Sequence, residues 1–70
     1  MLDRDKIRTL RRMHALSQTG LANKAGLSLP TVSRTERGAF THPHPQTVRQ
    51  LATALGVTPP ELYIDKDEGA

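Results

Sequence analysis

The stretch Lys24-Ala-Gly-Leu-Ser-Leu-Pro-Thr-Val-Ser-Arg34 constrains the fold more than any other part of the chain. It leaves only Gly26-Leu27-Ser28 between two segments that both read as helices. The first spans Gln18 to Ala25, with Ser17 placed to accept a backbone N–H as N-cap and with Leu21, Ala22 and Ala25 as its apolar stripe. Gly26 ends it, because glycine enters the left-handed conformation that a Cβ disfavours. Ser28 caps the second segment, Leu29 to Glu36, and Pro30 falls in its first turn, where a missing N–H removes no intrahelical bond. Arg37-Gly38 closes it. Two helices joined this tightly meet at a wide angle, which defines a helix-turn-helix unit. Ala22 falls where the axes come closest, so a large side chain there would push them apart. Leu21, Leu27 and Val32 hold the corner onto the rest of the domain, leaving Leu29, Pro30, Ser33 and Arg34 on the outer face.

The remaining segments follow the same period. Asp3 to His14 reads as a helix, with Ile7, Leu10 and Met13 at three-residue spacing, Leu2 joining them, and Asp3 and Asp5 near the positive end of the dipole. Gly20 is a poor helix former within the second segment, at a cost of up to about 1 kcal/mol against alanine. Pro45 opens a helix over Gln46 to Leu55 with Val48, Leu51, Ala52 and Leu55 on one side, and Gly56 closes it. Thr58 caps a short fifth helix begun by Pro59 and Pro60 and carrying Leu62 and Tyr63. No segment alternates as a strand would. The expected fold is all-α: five short helices in one domain over 1–64, followed by a polar tail over 65–70.

Size and charge narrow the function. Seventy residues support one domain with a small core. There is no cysteine for a disulfide or a thiolate zinc site. The charged N-terminus carries no signal-peptide pattern, and no apolar run reaches the length of a membrane span, so the cytoplasm is the expected compartment. Residues 1–38 carry eight Lys/Arg against three Asp/Glu, while residues 39–70 carry two against four. Such asymmetry suits either a polyanion-binding face or a solvated helix surface. His42 and His44 sit two apart with His14 distant, and nothing completes the three or four ligands that zinc requires, so the sequence implies no metal and no cofactor. A histidine contact to phosphate that depends on pH is a further reading of the same loop. No phosphate-cradling glycine loop and no nucleophile–base motif indicates an enzyme. Phe40 and Tyr63, the only aromatics, offer no platform for stacking single-stranded bases, and Phe40 is expected to pin its loop to the core.

"LSQTGLANKAGLSLPTVSRTERG" followed by "PQTVRQLATALGVTPPEL" resembles the xenobiotic-response-element family, the lambda-repressor and Cro type of helix-turn-helix regulator, over about Ile7 to Leu62. The resemblance implies a lambda-repressor-like, sequence-specific regulator of transcription that binds double-stranded DNA. It would bind a two-fold operator as a homodimer, with the Leu29–Glu36 helix in the major groove. It further implies base contacts from Leu29, Pro30 and Arg34, with Thr31 and Ser33 secondary, and phosphate contacts from Gln18, Ser28, Arg37 and Thr41. An ion pair between Arg11 and Glu36 would tie the first and third helices, and Ala22, Gly26 and Val32 would be structural. The dimer contact would lie at Val57, Pro59, Leu62, Tyr63 and Ile64.

Several residues depart from the family pattern. Leu29 and Pro30 replace polar residues, so they suit thymine methyls rather than amide reading of adenine; alternatively Leu29 packs inward. Thr35 stands where a larger apolar residue is usual, and with Gly20 suggests a loosened corner. Arg34 would grip guanine O6 and N7, or else a phosphate. Arg11 and Glu36 could also be unrelated surface charges, and Leu62 and Ile64 could simply complete the core. Two other roles fit the same residues: an antitoxin that binds a protein partner, disfavoured by so short a tail, and a controller protein of a restriction–modification system.

Overall fold

The computed structural model describes residues 2–38 and 44–64. Four α-helices follow in order: α1 (Arg4–Met13), α2 (Gln18–Ala25), α3 (Leu29–Arg37) and α4 (Pro45–Leu55). A 3-10 turn, Pro59–Leu62, stands where a fifth helix was expected. Two consecutive prolines lack N–H groups, and four residues between Thr58 and Tyr63 leave room only for i→i+3 bonds, such as Glu61 N–H to the Thr58 carbonyl at 3.0 Å. The one strand-like contact among the described residues is an isolated antiparallel bridge between Leu2 and Tyr63, with Asp3 N–H donating to the Leu62 carbonyl at 2.8 Å.

Each helix start is capped by a side chain that the sequence supplies. Asp3 accepts from Lys6 N–H, Ser17 from Gly20 N–H, Ser28 from Thr31 N–H, and His44 from Gln46 N–H. Three helix ends share one device. After α1, α2 and α4 a left-handed residue (Ala15, Gly26, Gly56) turns the chain. The following apolar residue then donates its N–H five residues back along the chain: Leu16 to Arg11 O, Leu27 to Ala22 O, and Val57 to Ala52 O. Leu16, Leu27 and Val57 also pack against the core. The helix stop and the core contact are therefore one motif.

The core contains Ile7, Leu21, Val32, Leu51, Leu55 and Leu62, none of them with measurable exposure above 1%. Leu2, Ala22, Ala25, Val48, Ala52 and Ala54 join them. Met13 does not belong there and is 74% exposed. At 3.6 residues per turn, repeated three-residue steps drift backwards by about 60° each, so Met13 lies roughly 120° away from Ile7. The position four residues after Ile7 stays nearer its stripe, and Arg11 occupies it.

Ala15 is the only described non-glycine residue at positive φ, +56°. A Cβ in that region strains the backbone by about 1–2 kcal/mol. Ala15→Gly should therefore raise stability by about 0.5–1 kcal/mol after its greater unfolded-state entropy is subtracted, seen as a higher denaturant midpoint. Ala15→Val should lower it, and the same sign for both variants would contradict the strain.

Candidate nucleic-acid interface

The tight corner forms around Gly26, at φ +72°. Ala22, 2% exposed, lies buried beside it, and Val32 of α3 is fully buried. Gln50 of α4 supports the joint from behind, donating to the Ala25 carbonyl at 3.2 Å. The corner fixes the direction in which α3 leaves α2, but α1 holds its far end.

Arg4, Arg8 and Arg11 lie on one side of α1 and all reach the C-terminus of α3. Arg11 makes a two-pronged contact with Glu36, Nε to Oε2 at 2.6 Å and Nη2 to Oε1 at 3.0 Å. Its Nη1 also donates to the Leu16 carbonyl at 2.9 Å. Arg8 donates to the Glu36 carbonyl and Arg4 to the Arg37 carbonyl, each at 2.9 Å. These carbonyls belong to the negative end of the α3 dipole and have no intrahelical partner, so guanidinium groups are suited to them on both counts. Gly38 is needed twice over here. Its φ is +76°, and a Cβ would stand 2.8 Å from Arg4 Nη1.

Glu36 is 1% exposed. Burial is the largest single influence on its carboxyl and would raise its pKa. Hydrogen bonds from Arg11 and Gln18, with the charges of Arg11 and Arg8, outweigh burial and hold it below the ordinary 4.5. Gln18 donates Nε2–H to Glu36 Oε1 at 3.2 Å, so the first residue of α2 is tied to the last turn of α3.

The N-terminal part of α3 is open. Leu29 is 44% exposed, and Pro30 and Arg34 are exposed while Ser33 and Thr31 are half-buried. Ser28 and Thr31 share a hydroxyl–hydroxyl bond of 2.8 Å. The side chains of Arg34 and Arg37 have no hydrogen-bond or ion-pair partner among the described residues, nor do those of Arg12 and Lys24. The basic half of the chain thus divides into arginines committed to α3 and others left facing solvent. Thr41, Phe40 and His42 lie outside the described residues, as does the tail over 65–70.

Thr35 and Gly20 acquire specific explanations. Thr35 is 2% exposed and satisfies its hydroxyl by donating to the Thr31 carbonyl at 2.8 Å. A Cβ on Gly20 would come within 3.3 Å of both Leu16 Cδ2 and Ser17 Oγ, so the glycine makes room at the α2 cap. Leu62 is a correction: it has no exposed surface, because it packs as a core residue, and it cannot belong to a dimer contact. Val57 and Pro59 are half-buried, while Tyr63 and Ile64 are 37% and 40% exposed. His14 Nε2 bonds the Leu55 carbonyl at 2.9 Å, so the two described histidines serve opposite ends of α4, His44 at its start and His14 at its close. Among the described residues no cluster of His, Asp or Glu is arranged to hold a metal, and no helix is long and apolar enough to cross a membrane.

The roles of Arg4 and Arg8 emerge only in the folded chain. The signal was present in the 4/8/11 spacing, which puts three guanidinium groups along one side of a helix.

This fold and this open helix define a class. A family described as a helix-turn-helix domain matches residues 4–62, and the chain belongs to it; members of this class are DNA-binding regulators rather than enzymes. Solved structures narrow the likeness to Cro/C1-type repressors. SinR, in a SinR protein/SinI protein complex, is 28% identical with a TM-score of 0.85, covering 100% of this chain and 67% of that one. SinR as the master regulator for biofilm formation in complex with DNA is 29% identical with a TM-score of 0.79, covering 84% of this chain and 94% of that one. The DNA-binding domain of the P22 C2 repressor is 27% identical with a TM-score of 0.78, covering 89% of this chain and 80% of that one. No curated protein sequence matches the chain.

Removing Arg11 leaves Glu36 buried with fewer partners. Arg11→Met should cost about 3 kcal/mol, and the double variant Arg11→Met/Glu36→Leu should recover most of it; chemical denaturation measures both. The folded pKa of Glu36 lies below its unfolded one. Its contribution is therefore complete above the ordinary carboxylate range and is lost as pH falls through the lowered folded value. Stability should fall more steeply in the wild type than in Glu36→Gln between about pH 5 and 3, and parallel acid limbs would contradict this.

Proposed function

We propose that this protein is a sequence-specific transcriptional regulator that binds a two-fold operator in double-stranded DNA as a homodimer, with α3 in the major groove. One observation carries the reading: α3 is clamped at its C-terminus by Arg4, Arg8 and Arg11, while its outward face presents Leu29, Pro30 and Arg34 with no hydrogen-bond or ion-pair partner among the described residues. A helix held rigidly at one end and open at the other keeps base-reading groups in register without further ordering on binding. Of the two exposed arginines of α3, Arg34 lies nearer in sequence to Leu29 and Pro30, and its planar fork matches guanine O6 and N7. Ser28, Thr31, Ser33 and Arg37 flank that edge as supporting contacts. Gln18, at the start of α2, approaches phosphate with its orientation set by Glu36. The DNA-bound SinR structure supports the same use of the fold.

Of the residues expected at the dimer contact, Tyr63 and Ile64 are the exposed apolar groups available for self-association, with Val57 and Pro59 half-buried. The SinR–SinI complex lends weight to a second reading, in which a protein partner occupies that face, as it would in an antitoxin. The double variant Tyr63→Ser/Ile64→Lys separates the two. Sedimentation should show the wild type dimeric and the variant monomeric; a wild type that stays monomeric on DNA favours the partner.

Selection from a random duplex pool at fixed, near-physiological salt tests the main reading. It should enrich an inverted repeat with half-site centres about 10 base pairs apart. Arg34→Ala should weaken binding to that site by about 1–3 kcal/mol and relax one position per half-site. Arg37→Ala should weaken all sequences alike and flatten the salt dependence. Enrichment of no sequence would overturn the reading.

A further inference from the structure

The leading edge of α3 has unusual chemistry for a surface meant to discriminate bases. Its first two residues, Leu29 and Pro30, are exposed and purely aliphatic. The hydroxyls on either side of them, Ser28 and Thr31, are bonded to each other at 2.8 Å, and Ser28 also accepts from Thr31 N–H at 3.2 Å. Pro30 contributes no N–H. Apart from this self-paired couple, which keeps one O–H free, the edge offers no hydrogen-bonding side chain until Ser33 and Arg34, one turn further on.

An aliphatic group cannot distinguish the O4 of thymine from the N4 amine of cytosine. In the major groove, the only pyrimidine feature it favours is a methyl group on C5. Thymine carries that methyl, and so does 5-methylcytosine. Accepting the DNA-binding role proposed above, on which this rests, we infer that Leu29 and Pro30 make α3 a reader of the C5-methyl group itself. Methylated cytosine is recognised at that position by the same contact as thymine. Methylation of cytosine in an operator would then strengthen binding instead of blocking it.

The register follows from helix geometry. Pro30 and Arg34 are four residues apart and share one side of α3. Four residues rise about 6 Å, close to two base-pair steps of about 3.4 Å. The methyl-bearing pyrimidine and the guanine gripped by Arg34 therefore lie about two base pairs apart in each half-site.

The test uses the full chain and the duplex enriched by selection. At each thymine of the half-site, deoxyuridine is substituted to remove only the methyl. At the same positions, cytosine and 5-methylcytosine are compared opposite guanine. At one position per half-site, the thymine-to-uracil and 5-methylcytosine-to-cytosine affinity ratios should agree. Both should be about fourfold per half-site, which is what burying one methyl-sized group corresponds to. Leu29→Ala or Pro30→Ala should bring both ratios towards one; neither side chain belongs to the core, so the variants remain folded. If uracil changes nothing at any thymine while the selected site still binds, the methyl reading is overturned and the DNA-binding reading stands. Loss with uracil but no gain with 5-methylcytosine overturns it too, as does a methyl effect that both variants retain. If no sequence is enriched, the DNA-binding reading fails and takes this inference with it.

Discussion

The Arg11–Glu36 pair is the interaction on which the rest of the structure depends. A carboxylate with 1% exposure would be unfavourable in a core this small unless its lone pairs were filled. Arg11 fills them from α1 and Gln18 from α2, so one buried group connects three helices. Arg8 and Arg4 extend the attachment to the terminal carbonyls of α3. Hydrophobic contacts between α1 and α3 would tolerate some sliding, whereas a two-pronged guanidinium–carboxylate contact sets both the position and the rotation of α3. The face that α3 presents outward follows from that rotation.

The small core is supplemented by its helix ends. Ala15, Gly26 and Gly56 turn the chain, and Leu16, Leu27 and Val57 return it to the core while satisfying a carbonyl. Each short linker thus adds apolar burial as well as connectivity, which matters in a domain with a high ratio of surface to volume. His14 closes the outer edge in the same spirit, bonding the last carbonyl of α4 from the end of α1.

The surface then separates into parts with different chemistry. Arg4, Arg8 and Arg11 are bonded to α3, whereas the exposed Arg34 and Arg37 stay unengaged among the described residues. Aliphatic Leu29 and Pro30 lie ahead of them. Near the chain's last described residues the antiparallel bridge brings Leu2 beside Tyr63, while Leu62 is buried and Tyr63 and Ile64 stay exposed.

Local chemistry made much of this legible in the sequence. Ser17, Ser28, Gly26 and Gly56 mark helix ends by their own conformational preferences. The stripes on α2 and α4 identify the core because a single period relates their residues, and the corner itself follows from a three-residue joint. The outward position of Leu29, Pro30 and Arg34 follows once Val32 faces in. Met13, Leu62 and the arginines of α1 were not decided locally. Met13 fits a three-residue spacing as well as a core residue would, and only the packed helix shows that Ile7 and Arg11 define the buried side. Leu62 is apolar on a short exposed-looking turn, and its burial depends on α1 and α4 closing over it. The bonds from Arg4, Arg8 and Arg11 to α3 span 33, 28 and 25 residues, so no rule of local spacing chooses their partners. The sequence by itself determined where helices begin, end and turn, because those are properties of neighbouring residues. The tertiary structure decided which charges are structural and which remain for a ligand, because that depends on what distant segments bring within hydrogen-bonding reach.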